Sequence, residues 1–270
     1  MDTTLAFIGG GNMAQAIVGG LRRAGYVGEA LLVVEPNPAQ REHLQQTHGV
    51  QALAAADARV AKAQLVVWAV KPQLFAEAAV PCAPFIGQAL QLSVMAGVRS
   101  SAIAKASGSN RVVRAMPNTP ALIGAGIAGL FASAEVDAAS RTLVEQVLAP
   151  SGRLLWVASE ADLDAVTALS GSGPAYFFYL VEAMVAAGVQ MGLPEAQARE
   201  FAFATCAGAA AQGLACDDAP ALLRERVTSK GGTTHAAITS LEQAGVAEAL
   251  RNAVLAAQRR AQELGDEFGR

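Results

Sequence analysis

Charge is scarce in this sequence. Asp, Glu, Lys and Arg make up 16% of its 270 residues, against a usual share of about 25%. The net charge is −3 and no basic block stands out, which argues against nucleic acid or an anionic membrane surface as a partner. No apolar stretch reaches the roughly 18 uncharged residues that a membrane span needs, so no membrane partner is expected. Repeats, low-complexity tracts and an obvious flexible linker are also missing. Cys82, Cys206 and Cys216 are odd in number, widely spaced and set among apolar residues, so they read as reduced core side chains and not as a disulfide framework. A strand is under way by Leu5, which leaves no room for a signal peptide, and a cytoplasmic protein is expected. No His–Asp pair presents itself as a catalytic couple, and no metal site is expected.

What the sequence has in quantity is apolar residues, at 53%. A chain this long forms one large domain or two smaller ones and can bury a sizeable core. Large exposed apolar patches are rare on monomers. The excess of Ala, Val and Leu therefore points to burial inside the fold or between subunits, and a homo-oligomer is expected.

The first motif lies almost at the start. Leu5-Ala6-Phe7-Ile8 runs into Gly9-Gly10-Gly11, and a helical apolar pattern follows through Ala14, Ile17, Val18 and Leu21. This is the order of a buried strand, a tight turn and a helix start. Glycines let the backbone turn sharply and approach a bulky ligand, and N–H groups at a helix N-terminus hold a phosphate or pyrophosphate. Gly9-x-Gly11-x-x-Ala14 fits the dinucleotide fingerprint. By itself that pattern is weak; its place between a first strand and a helix is what gives it weight.

Further strands are expected at Leu31–Glu35, Val50–Leu53, Leu65–Val70, Ala89–Val94, Arg111–Ala115, Ile127–Phe131 and Leu154–Val157. Asn37 and Pro38 supply the cap and first residue of a helix running through Leu44. Several of these strands are continuous apolar runs, as in a parallel sheet covered on both faces, and helical stretches lie between most of them. A Rossmann-type doubly wound α/β domain over residues 1–160 follows. From residue 161 to 270 no strand is found. Helices are expected over Tyr176–Gln190, Glu195–Gln212, Ala219–Val227, Thr234–Gln243 and Val246–Leu264. Several are apolar on more than one face, which suits intertwining with a second copy in an all-helical dimerisation domain.

Several residues suggest chemistry. Glu35 ends the second strand, 24 positions after Gly11; an acid there accepts hydrogen bonds from an adenosine ribose diol and favours NAD over NADP. A 2′-phosphate would be repelled unless the backbone turns Glu35 away and a cation such as Arg41 compensates. A solvated strand-end carboxylate is the plainer alternative. Ala69-Val70-Lys71-Pro72 closes the fourth strand, where open α/β sheets bind ligands; Lys71 either touches the cofactor or stands free on the surface. Met116-Pro117-Asn118-Thr119-Pro120 either shapes a nicotinamide pocket or only reverses the chain. Leu169-Ser170-Gly171-Ser172-Gly173-Pro174-Ala175-Tyr176 breaks a helical region, either to admit a ligand or backbone or as a kink. In Val227–Ile238, two glycines and two threonines (Gly231, Gly232, Thr233, Thr234) precede a helix. Several N–H groups there can hold one carboxylate and set the Thr234 hydroxyl near its α-carbon substituent, though an ordinary cap has the same composition. His235 reads as a packed or solvated helical residue.

Taken in order, the glycine loop, Ala69–Pro72, Met116–Pro120, Ser170-Gly171-Ser172-Gly173-Pro174 and Ser229-x-Gly231-Gly232-Thr233-Thr234 resemble the pyrroline-5-carboxylate reductases over nearly the whole chain. The last two motifs are specific to that family. Lys230 stands where many members have proline. The resemblance implies reduction of Δ1-pyrroline-5-carboxylate to L-proline by hydride from NADPH or NADH, and a helical homodimer often assembled further into decamers. By position, Ile8, Gly9, Gly10, Gly11, Asn12, Met13, Ala69, Val70, Lys71 and Pro72 would contact the cofactor. Gly232, Thr233 and Thr234 would hold the substrate with Ser229 close by, and the Thr234 hydroxyl would meet the ring nitrogen. Other Rossmann enzymes with a helical second domain, such as β-hydroxyacid dehydrogenases and imine reductases, are the first alternative. A nucleotide sensor without catalysis is the second.

Overall fold

A computed structural model describes residues 3–268. Its first half alternates strands and helices: β1 (Leu5–Ile8), α1 (Asn12–Arg23), β2 (Leu31–Val34), α2 (Pro38–His48), β3 (Gln51–Leu53), β4 (Leu65–Trp68), α3 (Phe75–Ile86), β5 (Leu90–Ser93), α4 (Ser100–Ser107) and β6 (Val112–Met116). β7 (Gly126–Ala132), α5 (Ala138–Leu148) and β8 (Gly152–Trp156) follow. The strands form one sheet in the order β3-β2-β1-β4-β5-β6-β7-β8.

Every residue of β1, β2 and β4 is buried, which is why these strands read as unbroken apolar runs. Successive side chains point to opposite faces. Leu5, Phe7, Leu31, Val33, Leu65 and Val67 therefore pack in one core with α1 residues Ile17 and Leu21, while Ala6, Ile8, Val66 and Trp68 enter a second core with Phe75 and Ile86 of α3. The Trp68 indole donates to Gln91 Oε1 at 2.9 Å. Gln91 Nε2 in turn donates to the carbonyls of Ile86 and Ala89, both at 3.0 Å, so this buried amide is satisfied.

One step departs from the expected parallel winding. β6 and β7 pair antiparallel, whereas every other neighbouring pair is parallel. Only a short 3₁₀ turn, Thr119–Ile123, separates them, and a parallel return needs a crossover of about a dozen residues or more. The Met116–Pro120 loop is thus a chain reversal.

Beyond the sheet come α6 (Asp162–Val166), a π-helical turn over Thr167–Gly171, α7 (Gly173–Gln190), α8 (Glu195–Leu214), α9 (Pro220–Arg226), α10 (Thr233–Gln243) and α11 (Val246–Phe268). The helices expected beyond residue 161 are all present. The described residues divide into two compact units: one runs to Ser172 and takes back the chain from Ala257 onward, and the other is Gly173–Ala256. The division by contact therefore falls some twelve residues later than the composition change near residue 160, because α6 and the end of α11 pack with the sheet.

In the second unit α7 and α8 meet closely, since a Cβ on Gly188 would lie 2.8 Å from Ala198 Cβ. Much of their remaining surface is apolar and uncovered, including Phe177, Phe178, Tyr179 (78% exposed), Met191 and Phe201. The run Asp162–Gln190 is long and apolar enough, by length and composition, to cross a membrane, and only 17% of its apolar window is buried. Of the cysteines only Cys82 is core; Cys206 is half-buried and Cys216 exposed, because α8 and its C-terminal end have no cover in a single chain.

A buried ionic network ties the sheet to α6. Arg114 of β6, whose side chain is 4% exposed, donates to Glu160 at 2.8 Å. Glu160 also accepts the Ser100 N–H at 2.6 Å and the Ser100 hydroxyl at 2.8 Å, and Arg99 grips Asp164 at 3.0 Å. Burial alone would raise the Glu160 carboxyl, but the Ser100 N–H and the Arg114 guanidinium outweigh it and leave the carboxyl below its ordinary value of 4.5. A depressed carboxylate adds stability that is full above pH 4.5 and is lost as pH falls through the lower folded-state value. Glu160→Gln is expected to cost about 3 kcal/mol at pH 7, since Arg114 is left buried without its counter-charge. Urea unfolding of both proteins across the acid range should show that difference shrinking as the wild-type carboxylate protonates.

Candidate functional site

β1 leads into α1 through a turn only glycine tolerates at its first position. Gly9 has φ +96°, in the left-handed region, and a Cβ there would sit 2.7 Å from the Ala69 carbonyl oxygen. Its N–H donates to the Val34 carbonyl at 2.8 Å, and the Ala69 N–H donates to Ile8 at 2.8 Å. The ends of β1, β2 and β4 are thereby held together where the strand order reverses. Open α/β sheets bind ligands at that point, beyond the carboxyl ends of the strands.

A cleft of about 450 Å³ lies there. Ile8, Gly9, Gly10, Gly11, Glu35, Ala69, Val70 and Lys71 all line it. Asn12 and Met13 do not; they form the first turn of α1, and the Met13 side chain packs on the core. Pro72 lies outside the lining too, opening the 3₁₀ turn Pro72–Leu74. The cleft is completed by residues that the sequence did not mark as part of a cofactor site. Ala54–Ala56 follow β3, and Leu74, Glu77, Ala78, Pro81 and Cys82 come from α3 and the turn before it. The 74, 78, 81 spacing, one face of a helix just after a strand's carboxyl end, was the available signal. Burial pushes the Cys82 thiol up to about 11, so it stays protonated at neutral pH and acts as a wall.

The cleft fits the pyrophosphate of a dinucleotide. Gly11 caps α1 with no side-chain hydrogen bond, and the first turn carries no acid, so the helix N-terminus presents its N–H groups without a competing anion. A Cβ on Gly11 would meet nothing within 4 Å: the space a phosphate needs is open on that side. Glu35 folds back onto the turn, where Oε2 accepts the Gly10 N–H at 2.9 Å and Oε1 accepts the Asn37 N–H at 2.9 Å. Arg41 donates to the carbonyls of Glu35 and Pro36 at 2.9 and 2.7 Å.

Two of the other motifs meet in the same unit. Asn118 Nδ2 donates to the Ser170 carbonyl and hydroxyl at 3.3 Å each, while its Oδ1 accepts the Ile127 N–H at 3.0 Å. The Ser172 N–H reaches back five residues to Thr167 at 2.8 Å, which is the π turn. Gly171 lies so close to Met116 that an added Cβ would be 2.6 Å from its Cε. The glycine–serine stretch thus widens a helix and admits the end of β6.

The Ser229–Thr234 loop belongs to the second unit. Gly231 has φ +75°, and the Gly232 N–H donates to the Ser229 carbonyl at 3.0 Å. That turn delivers α10 with Gly232 as its cap, no capping side chain and no acid in the first turn. Its N–H groups remain available for an anion. Thr234 is half-buried beside them, whereas Thr233 and His235 are exposed. Among the described residues no group of three or more His, Cys, Asp and Glu could hold a metal ion.

Comparisons with known proteins agree with this layout. Residues 160–264 match the family described as pyrroline-5-carboxylate reductase dimerisation, and residues 4–97 match the one described as NADP oxidoreductase coenzyme F420-dependent. The chain is 40% identical over 267 residues to the pyrroline-5-carboxylate reductase of Pseudomonas aeruginosa, covering 98% of each. A solved pyrroline-5-carboxylate reductase structure from Coxiella burnetii superposes with a TM-score of 0.89 at 37% identity, covering 98% of this chain and 99% of that one. The Plasmodium falciparum enzyme, solved with NADP bound, superposes at 0.88 with 26% identity, covering 97% and 98%.

Proposed function

The chain belongs to the pyrroline-5-carboxylate reductase family, and from that premise we propose how its residues share the work. The protein reduces Δ1-pyrroline-5-carboxylate to L-proline with NAD(P)H, the last step of proline biosynthesis. The observation that carries this is identity of about 40% over 98% of the chain, joined to a glycine-turn cleft with an uncapped helix N-terminus at the sheet's switch point.

When bound, the reduced nicotinamide supplies a hydride to the imine carbon. Residues 1–160 form the cofactor domain in this reading. The N–H groups of Gly11, Asn12 and Met13 hold the pyrophosphate, while Gly10, whose N–H is held by Glu35, borders the dinucleotide with Ile8, Gly9, Ala69, Val70, Lys71 and Pro72. Residues 161–270 form the dimerisation and substrate domain. Ser229, Gly231, Gly232 and Thr233 wrap the carboxylate, using backbone N–H groups at the start of α10. The Thr234 hydroxyl hydrogen-bonds the ring nitrogen and relays to it a proton taken from solvent as the carbon gains hydride. Orientation and that one polar contact supply the acceleration, so no strong acid–base pair is needed.

The protein acts on a small molecule and oligomerises. A homodimer that covers the apolar faces of α7 and α8 is the assembly we propose, with decamers built from it, in the cytoplasm. The dimerisation match over residues 160–264 favours a partner subunit and not lipid as the cover for the Asp162–Gln190 run. NADH and NADPH oxidation followed with and without pyrroline-5-carboxylate tests the whole reading. Oxidation that depends on the imine acid is expected; cofactor binding with no turnover would rule out the reductase function for this chain.

A further inference from the structure

We propose that this enzyme selects NADH over NADPH, and that Glu35 makes the selection at the adenosine ribose. The inference rests on the cleft being the dinucleotide site. Glu35 follows β2 directly and lines that cleft. A carboxylate there accepts hydrogen bonds from the two ribose hydroxyls and repels a 2′-phosphate. Two escapes would let a 2′-phosphate in: the acid swings out, or a cation neutralises it.

The structure closes the first. Glu35 Oε2 and Oε1 accept the N–H groups of Gly10 and Asn37, each at 2.9 Å. Gly10 is itself fixed, with Leu44 Cδ1 2.6 Å from where its Cβ would be and its carbonyl accepting from Gln40 Nε2 at 2.7 Å. Turning Glu35 outward would strand the N–H of a buried glycine, a costly loss. Each carboxylate oxygen has a second lone pair for a ribose hydroxyl.

For the second escape, no cation is paired with the carboxylate. Among the described residues no Lys, Arg or His pairs with Glu35 within the 4.0 Å of an ion pair. Arg41 spends an Nη on the carbonyls of Glu35 and Pro36, and Arg59 is paired with Asp57 at 2.6 Å. The charged side chains lining the cleft are Glu35, Glu77 and Lys71, a net negative set, and Lys71 stands at the β4 end.

The test is a set of dissociation constants, measured by the fluorescence of bound NADH and NADPH with no substrate present. NADH is expected to bind about ten-fold tighter or more, and Glu35→Gln to narrow the ratio by about ten-fold, chiefly by tightening NADPH. Any loosening of the glycine turn in that variant weakens both cofactors and cancels in the ratio. Arg41→Ala is expected to shift both constants alike. Equal or tighter NADPH binding by the wild type overturns the proposal, as does an unchanged ratio in Glu35→Gln or a loss confined to NADPH in Arg41→Ala. Tighter NADPH binding with imine-dependent turnover leaves the reductase function intact and removes only the selection. The expected ratio with no turnover does the reverse, and binding of neither cofactor overturns both.

Discussion

Thr234→Ala is expected to lower kcat by about 10- to 1,000-fold, the span seen when a positioned proton-transfer partner or charge-stabilising donor is removed. The argument begins with an uncapped helix N-terminus. α10 starts after Gly231 and Gly232 with no side chain occupying its first N–H groups, so backbone alone can hold a carboxylate. The side chain that emerges next to that point and is half-buried is Thr234. Carboxylate binding survives in the variant because the N–H groups remain, so KM should change much less than kcat. The lost contact is one that strengthens only as the ring nitrogen gains its proton, and interactions of that kind act on kcat. Thr234→Ser keeps the hydroxyl and should recover most of the rate. Steady-state kinetics of the three proteins decide the matter: unchanged kcat and KM in Thr234→Ala would remove this residue from the reaction.

Substitution within the glycine turn should have two separable consequences. Gly9→Ala places a Cβ 2.7 Å from the Ala69 carbonyl oxygen and 2.9 Å from Val70 Cγ1, on a residue whose φ of +96° already excludes most side chains. The first obstacle is backbone and cannot give way cheaply, because the Ala69 N–H is hydrogen-bonded to the Ile8 carbonyl at the end of the β1–β4 pairing. Backbone strain and overpacking together should destabilise the fold by about 2–4 kcal/mol and abolish dinucleotide binding with it. Gly11→Ala is the contrasting case. Its φ of −69° suits any residue and a Cβ meets nothing within 4 Å, so stability should fall by about 1 kcal/mol or less, the preference for glycine over alanine at a helix cap. Dinucleotide affinity should nevertheless drop by about ten-fold or more, since the new methyl enters the space beside the α1 N–H groups. Thermal unfolding and cofactor titration of both variants check this. A stable Gly9→Ala, or a Gly11→Ala that binds cofactor as the wild type does, would contradict the proposed role of the turn.

The sequence by itself determined what short-range chemistry encodes. An all-apolar run into three glycines could only be a buried strand and a turn, and β1, Gly9 and α1 are found at those residues. Asn37-Pro38 wrote its own helix start, with Asn37 accepting from the Ala39 and Gln40 N–H groups. Helical periodicity laid out α7 to α11 to within a few residues, and the motif order announced the family.

Tertiary structure decided whatever depends on residues far apart in the chain. No local feature of Arg114 or Glu160 marks them as a buried pair; 46 residues separate them, and only the packing of α6 on β6 brings them together. Glu35 was legible as an acid at a strand end, but its partners Gly10 and Asn37, which hold it in the cleft, come from two different turns. The antiparallel β7 followed from a connection too short for a crossover. The return of the chain from Ala257 onward to the first unit had no sign in composition, because a long amphipathic helix carries the same pattern whichever body it packs on. Cys206 and Cys216 were misread for a related reason. An apolar neighbourhood in sequence becomes a buried one only when another surface covers it, and for α8 that surface lies outside the single chain.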